Sequence, residues 1–379
     1  MDHIIKIACL SALAAAVAMP VQAAQVNTNN RLQISSDDGS FSARLRARVH
    51  ADANFYDNDE VEHVSGAFLR RARIGVSGNL EDWKYEVTFD NAGDSVDTKD
   101  AMLARRFGPG TLNIGQFKVF EGLEQLTSSN DLTFMERSHV GNTVAGRQIG
   151  MAYNGTTDNI GYAVGGYNLV ESSDGGTRAV NDGHGFSGRI WATPIVDGDT
   201  TVHLGLSAVQ EKVNGDGERA RLRPAGRSNE ERFVVFDRRG ERADITRVNL
   251  EAAAVMGPLA LSAEYLMGNA ETDTRDDNEF TVWYAQASYV FGGNRRYDLG
   301  KGRLRNPRGN GIWEVAIRYQ EAENDDKQAN LTTTLETFDL GVTYYANQNV
   351  RFMANYVMSD NEQNDDEANL FSMRAQWVF

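Results

Sequence analysis

The chain is organised around residues 41–55, which read FSARLRARVHADANF. Every odd position in this stretch is apolar and every even position is polar. Successive side chains of a β-strand point to opposite faces, so the pattern predicts one strand with an apolar face and a basic, polar face. A strand of about ten residues crosses a bilayer when it is tilted, so the length suits a membrane strand. The apolar face would meet lipid, and Arg44, Arg46 and Arg48 would face a lumen.

The N-terminus has the features of an export signal. Lys6 precedes an apolar run, and Val21-Gln-Ala23 fits a small-x-small cleavage site. This pattern predicts a secretory signal peptide over residues 1–23. The single cysteine, Cys9, lies within it, so the exported chain is expected to contain no disulfide. Residues 24–40 are interpreted as a short N-terminal lead-in, and residues 41–379 as one β-barrel domain.

The two-residue alternation recurs along the rest of the chain. Short turns alternate with longer acidic loops between the strands, which is typical of bacterial outer-membrane barrels. The chain ends on the aromatic Phe379. Together with residues 41–55, the pattern predicts sixteen strands. The other fifteen lie near 68–80, 83–90, 98–108, 110–118, 146–154, 159–168, 184–193, 200–212, 244–256, 259–269, 280–291, 312–322, 334–345, 350–358 and 369–379.

These strands require a closed barrel if they lie in a membrane. An unpaired strand edge in hydrocarbon would leave backbone N–H and C=O groups unsatisfied, at several kcal/mol each. Sixteen strands leave an aqueous channel, whereas eight would be filled by side chains. A large soluble β-sandwich or propeller is the alternative, but it does not account for the signal peptide, the terminal aromatic and the long strands together. The predicted fold class is therefore all-β, a transmembrane antiparallel barrel of sixteen strands.

Several runs of the sequence resemble one family of bacterial porins. The runs are Phe68-Leu-Arg-Arg-Ala-Arg-Ile-Gly75, Lys99-Asp-Ala-Met-Leu103, Gly115-Gln-Phe-Lys118, Leu126-Thr-Ser-Ser-Asn-Asp-Leu-Thr-Phe-Met-Glu-Arg137, Gly257-Pro-Leu259, Trp313-Glu-Val-Ala-Ile-Arg-Tyr319 and Asn355-Tyr-Val357. In order and spacing they resemble the phosphate-selective porin O and P family. The resemblance implies a trimeric outer-membrane porin of sixteen strands, whose third outer loop folds into the lumen and forms an anion-binding eyelet.

The resemblance also implies site residues. The stretch from Glu121 to Arg147 matches the family's third loop. Arg70 and Arg71 match an adjacent arginine pair, and Asp100 matches an aspartate of the phosphate site. The family's basic loop residue is replaced here by Asn130, for which Lys118 is a candidate substitute. Arg219, Arg221 and Arg223 match an entrance ladder of arginines.

Strand alternation adds further arginines to these candidates. It places Arg71 and Arg73 on the polar face of the second strand and places Arg70 outward, so the role of Arg70 depends on the resemblance alone. Arginine suits oxyanions because its planar fork of donors stays charged. The full candidate set is Arg44, Arg46, Arg48, Arg70, Arg71, Arg73, Asp100, Lys118, Arg219, Arg221 and Arg223.

A competing interpretation is that these arginines only balance acidic residues. Alternation also turns acids toward the lumen, where they could neutralise Arg44, Arg46, Arg48 and Arg318. These acids are Glu86, Asp90, Glu251, Glu264 and Glu314. The formal net charge of −15 does not exclude an anion channel, because the acidic runs fall in outer loops and selectivity is set at the narrowest ring. Those loops form a solvated face, or bind divalent cations that bridge lipopolysaccharide.

No pattern in the sequence predicts catalysis. Gly183-His-Gly-Phe-Ser-Gly188 fits a dinucleotide-binding pattern in letters, but alternating strand residues follow it and no helix does. The histidines have no metal-ligand spacing. We therefore expect no catalytic residue, no metal, no cofactor and no nucleic-acid partner. The expected partners are small anions, outer-membrane lipid, lipopolysaccharide and two further copies of the chain.

The sequence favours two functions, with a barrel enzyme and a structural or adhesion barrel as further alternatives. The first is a passive channel that prefers anions, with phosphate or a related oxyanion as its solute. The second is a general or organic-solute porin on the same scaffold, which the neutral Asn130 favours.

Overall fold

The computed structural model describes residues 24–27, 32–57, 63–173, 176–213, 219–226, 228–229, 231–238, 241–274 and 277–379. The predicted signal peptide, residues 1–23, lies outside this described part of the chain. No helix within it is long and apolar enough to cross a membrane.

Sixteen antiparallel strands close a barrel. The last strand pairs with the first, for example at Arg374 and Asp52, so the sheet closes on itself and its terminal strands satisfy each other's backbone groups. The barrel strands are β3 Phe41–Asp57, β4 Gly66–Leu80, β5 Trp83–Asp90, β6 Asp97–Phe107, β7 Gly110–Lys118, β8 Arg147–Thr156, β9 Ile160–Ser173, β10 Gly176–Asp197, β11 Thr200–Val213, β14 Ala243–Met256, β15 Leu259–Thr272, β16 Asn278–Phe291, β19 Ile312–Asp326, β20 Leu331–Tyr345, β21 Val350–Asn361 and β22 Asp366–Val378.

The predicted all-β barrel of sixteen strands is confirmed. Each predicted strand overlaps one barrel strand, although several observed strands extend further, as β10 does at its N-terminal end. Burial alternates in the expected way along several wall strands, including β14, β19, β21 and β22. In β19, Glu314 and Arg318 are buried inside the barrel, whereas Val315 and Ile317 are exposed on the outer face.

Six shorter strands and two short helices lie outside the barrel wall. They are β1 Ala24–Asn27, β2 Gln33–Ser36, β12 Arg219–Leu222, β13 Phe233–Asp237, β17 Arg296–Asp298, β18 Arg303–Arg305, α1 Leu123–Leu126 and α2 His139–Thr143. Alternation did not predict them, because three to five residues are too few for a period to stand out. The lead-in thus contains a hairpin, and β2 pairs with β3.

Three long segments between wall strands shape the lumen of the barrel. Loop 3, residues 119–146, carries both helices and connects β7 to β8. Loop 5, residues 214–242, carries the β12–β13 hairpin. The turn hairpin, residues 292–311, carries β17 and β18 and connects β16 to β19 at the barrel end where the short turns lie.

Candidate functional site: the constriction at loop 3

Loop 3 is fixed to the wall by a carboxylate at the start of α1. The Glu264 carboxylate accepts hydrogen bonds from the backbone N–H groups of Leu123 at 2.7 Å and Glu124 at 2.9 Å. Asn249 and Tyr284 donate to the same carboxylate, at 2.8 Å and 2.9 Å. The first N–H groups of a helix have no partner within the helix and carry partial positive charge, so a carboxylate is the favoured partner.

Cationic side chains donate hydrogen bonds to the carbonyl oxygens at the C-terminal end of α1. Arg137 donates to the carbonyl oxygens of residues 124, 125 and 127, at 2.8 to 3.4 Å. Lys118 donates to the carbonyl oxygens of residues 125 and 127, and Arg303 of the turn hairpin donates to that of residue 126 at 2.8 Å. Unpaired carbonyls at a helix C-terminus attract positive charge. Lys118, a predicted anion ligand, is therefore engaged with the backbone of loop 3.

A β-bulge turns both arginines of the adjacent pair into the lumen. Across from β3, Arg71 lies opposite His50 and Leu69 lies opposite Ala51, which leaves Arg70 as the extra residue. A bulge interrupts the regular alternation of faces. Arg70 then donates from Nε and Nη2 to the carboxylate of Glu136 on loop 3, at 2.6 Å and 2.7 Å. The outward placement of Arg70 by alternation was wrong for this reason.

Glu136 is strongly stabilised as a carboxylate. Burial acts to raise its pKa, but the guanidinium of Arg70, followed by those of Arg71 and Arg374, outweighs burial and holds the pKa well below its usual range. Arg374 also binds Asp52, with two contacts of 2.7 Å, and therefore joins loop 3 to the last and first strands of the wall.

We expect a pH dependence from this contact. A depressed folded-state pKa means that the ionised carboxylate stabilises loop 3 above the ordinary pKa of 4.5 and that this stabilisation is lost as pH falls below 4.5. Acidification should therefore loosen loop 3 and raise the current noise of the wild-type channel. The Glu136→Gln variant should be noisy already at neutral pH and respond less to acid, and equal acid responses in the two channels would contradict the assignment.

Several predicted pore residues form ion pairs along the wall. Asp100 accepts from Nε and Nη2 of Arg147, at 2.9 Å and 3.1 Å, so the predicted anion-site aspartate already has an arginine partner. Arg73 pairs with Asp90 at 2.6 Å. Arg46 pairs with Glu86, whereas Arg44 donates to the neutral amide oxygen of Gln33 in β2.

The remaining predicted wall acids have other partners than the predicted arginines. Glu251 binds Arg189 at 2.6 Å, and Glu314 binds Arg295 at 2.7 Å. Arg318 pairs with Asp339 at 2.9 Å. Of the neutralising pairs that this hypothesis allowed, the structure shows Glu86 with Arg46, while Asp90 binds Arg73 instead.

Five cations at loop 3 have no carboxylate partner within the described part of the chain. Their donors go to backbone carbonyls, to the Ser129 hydroxyl, to a nitrogen of His50 and to amide oxygens. The five are Arg48, Arg71, Lys118, Arg137 and Arg351. Burial is the largest influence on the pKa of Arg137 and lowers it. Glu124 raises this pKa and the charges of Arg147 and Arg73 lower it, and the result is a pKa of about 10, so Arg137 remains charged at neutral pH.

Loop 5 brings two ladder arginines to the entrance of the constriction. Arg221 and Arg223 line a cavity of about 200 Å³ between loops 3 and 5 and the wall, together with Arg70 and Arg137. Arg221 is exposed, and Arg223 donates to the carbonyl oxygen of Asn229 at 3.1 Å. The side chain of Arg219 lies outside the described part of the structure.

The turn hairpin supports the tip of loop 3 from the opposite end. The Asn306 amide donates to the backbone oxygen of Asn130 at 2.6 Å, and Arg295 donates to that of Asp131 at 2.7 Å. The Arg305 guanidinium lies 3.3 Å from the Asp131 carboxylate. Sequence reasoning missed these arginines and Arg147, Arg137, Arg351 and Arg374. Arg351 and Arg374 do lie on the polar face of their strands, and this alternation was the one feature of the sequence that could have identified them as lumen residues.

The interior is rich in cations and hydrogen-bonding groups. Among the described residues, no group of three or more His, Cys, Asp or Glu side chains is placed to hold a metal ion. The geometry suits reversible electrostatic contact with an anion, because guanidinium groups are its dominant feature.

Comparison with solved structures places the fold among outer-membrane porins. OmpT of Vibrio cholerae in its trimer form superposes with a TM-score of 0.61 at 13% identity, over 90% of this chain and 100% of that one. An anion-selective porin from Comamonas acidovorans also gives a TM-score of 0.61, at 15% identity, over 89% of this chain and 100% of that one.

Comparison of the sequence with known proteins identifies the family more specifically than the solved structures do. Porin O of Pseudomonas aeruginosa is 28% identical, over 93% of this chain and 92% of its own length. An uncharacterised protein of Caulobacter vibrioides is 26% identical over 78% of this chain and 64% of its own length. The family described as phosphate-selective porin O and P matches residues 43–379, which is nearly the whole barrel. The chain therefore belongs to the phosphate-selective porin O and P family.

Proposed function

We propose that this outer-membrane porin is a passive diffusion channel that prefers anions, with phosphate or a related oxyanion as its solute. The observation that carries the proposal is the group of five cations at loop 3 that have no carboxylate partner among the described residues. Two comparisons support the same direction, because the family is described as phosphate-selective and the Comamonas acidovorans porin is anion-selective.

The proposed mechanism is electrostatic and needs no cofactor. Paired arginines such as Arg73 and Arg147 add little net charge, whereas the five cations at loop 3 give the constriction a net positive field. Low-dielectric walls concentrate such a field and raise the local concentration of anions. Conduction also requires that each contact be weak enough to release the ion. An anion would pass from Arg221 at the entrance, through the constriction, to the arginines of the turn hairpin.

The test is a reversal-potential measurement across a lipid bilayer. With a potassium chloride gradient, we expect chloride to carry most of the current. Added phosphate should reduce the chloride current in the millimolar range if it binds within the constriction. A current carried mainly by potassium would reject the anion channel.

A general or organic-solute porin remains the second candidate. One observation favours it: the position of the basic loop residue is occupied by Asn130, whose amide oxygen lies 3.2 Å from Nε2 of His50. The loop tip then has no cation of its own at that position for a tight oxyanion contact. Phosphate that leaves the chloride current of an anion-selective channel unchanged would favour this candidate.

Neutralising the entrance arginine should weaken anion preference in a salt-dependent way. The Arg221→Gln variant should lower the chloride-to-potassium permeability ratio by about twofold near 0.1 M salt and much less near 1 M, where the Debye length is only about 3 Å. Lys212→Gln is the matched control, because Lys212 is an exposed cation paired with Asp244 on the outer face of the barrel. Equal reversal potentials in the two variants would exclude Arg221 from the pathway.

We further propose that the chain assembles as a homotrimer in contact with lipopolysaccharide. The support is family membership and the trimer form of the OmpT neighbour. Native mass measurement in detergent tests the stoichiometry, and a monomeric mass would contradict it.

A further inference from the structure

A buried histidine on the first wall strand joins two parts of the constriction. His50 is fully buried in β3. Its Nδ1 lies 3.3 Å from Nη1 of Arg71, and its Nε2 lies 3.2 Å from Oδ1 of Asn130. It thus joins the arginine pair of β4 to the tip of loop 3, and Asn306 holds that tip from the other side.

The two contacts define one protonation state of the ring. A guanidinium only donates hydrogen bonds, so Nδ1 of His50 must accept from Arg71. The ring proton then lies on Nε2 and is donated to the amide oxygen of Asn130. Only the neutral ring with its proton on Nε2 satisfies both partners.

The ring lies within a group of guanidinium charges. Four guanidinium charges act electrostatically on it, those of Arg374, Arg71, Arg351 and Arg48. Arg374 is neutralised by Asp52 and Glu136, but the other three have neutral acceptors only among the described residues. A carboxylate in the place of His50 would have given Arg71 an ion pair and removed part of this charge.

Arg71 acts through its field rather than by direct contact. Its side chain is 3% exposed, and its Nε has no hydrogen-bond partner within the described part of the chain. A permeating anion would not reach it, but a buried charge is screened far less by salt than an exposed one. Its contribution therefore persists at the constriction.

We propose that His50 is a positioning residue that sets anion preference. It holds Arg71 and the tip of loop 3 through neutral hydrogen bonds, so that the guanidinium charge behind the loop stays uncompensated. This inference rests on the proposed anion channel and deepens it, because it assigns part of the selectivity to residues outside the ion path.

The experiment compares two variants of the same shape that differ by one charge. In His50→Asn, the amide oxygen can replace Nδ1 as the acceptor for Arg71. In His50→Asp, the carboxylate accepts the same contact and adds a negative charge. We expect the chloride-to-potassium permeability ratio of His50→Asp to be at least threefold below that of His50→Asn, with folding of both verified by heat-dependent mobility in gels.

Asn154→Asp is the matched control for adding a carboxylate to the wall. Asn154 accepts from the Asn113 amide at 2.6 Å, a contact that an aspartate retains, and lies away from loop 3 in β8. Its effect on the permeability ratio should be small. If it lowers the ratio as much as His50→Asp does, the special role of His50 is excluded.

The outcomes separate the two proposals. A cation-selective wild type rejects the proposed function itself. An anion-selective wild type with equal ratios in His50→Asp and His50→Asn overturns the inference alone. Should His50→Asp fail to fold, Arg71→Met replaces it, and a wild-type permeability ratio in that variant overturns the inference as well.

Discussion

Replacing Arg147 by glutamate should remove most of the anion preference of this channel. Arg147 stands at the start of β8, and its positive charge acts electrostatically on Arg73, Arg137 and Arg48. The reversal changes the local charge by two units and leaves the new glutamate next to Asp100. Two unit charges a few ångströms apart interact by about 1 kcal/mol or more even in water, so we expect at least a fivefold fall in the chloride-to-potassium permeability ratio.

A charge swap provides the control for this effect. The double variant Asp100→Arg with Arg147→Glu restores both the net charge and the ion pair in the opposite order. It should recover most of the anion preference if the effect of Arg147→Glu is electrostatic. If the double variant stays as unselective as the single one, Arg147 acts through the local fold instead.

Removing the Glu264 carboxylate should release loop 3 and widen the pore. Four donors converge on this buried carboxylate, two of them the first N–H groups of α1. In Glu264→Gln, the amide nitrogen faces donors and at least one of them loses its partner. A buried donor that loses its hydrogen-bond partner costs about 1–3 kcal/mol, so we expect loop 3 to lose about 1–3 kcal/mol of anchoring.

Single-channel recording should detect this release directly. We expect a larger and noisier conductance together with a lower unfolding temperature in Glu264→Gln. The matched control is Glu321→Gln, which changes a partly exposed glutamate beside Trp283 on the outer wall. An unchanged conductance in Glu264→Gln would mean that the remaining contacts, including the turn hairpin, hold loop 3 without it.

Much of the barrel was predictable because its determinant is local. Phe41 to Phe55 alternate over fifteen residues, and a strand buried in lipid on one side tolerates no slip of that pattern. Arg71 and Arg73 were assigned to the polar face of their strand for the same reason, whereas Asp100 was a candidate through the family resemblance alone. Arg70 was assigned to the wrong face, because a single bulged residue leaves no mark in the sequence.

The amino-acid sequence by itself determined the strand count and the closed barrel, since a period of two residues can be recognised from neighbouring side chains alone. The family was indicated separately, by the order and spacing of several sequence runs that resemble it. The tertiary structure alone decided which cations are neutralised. Lys118 donates to the backbone of loop 3, and Asp100 forms an ion pair with Arg147. Arg71 donates to an uncharged histidine. Such partners lie on strands and loops far apart in the chain, and the energy of an ion pair depends on a separation in space that linear order does not specify.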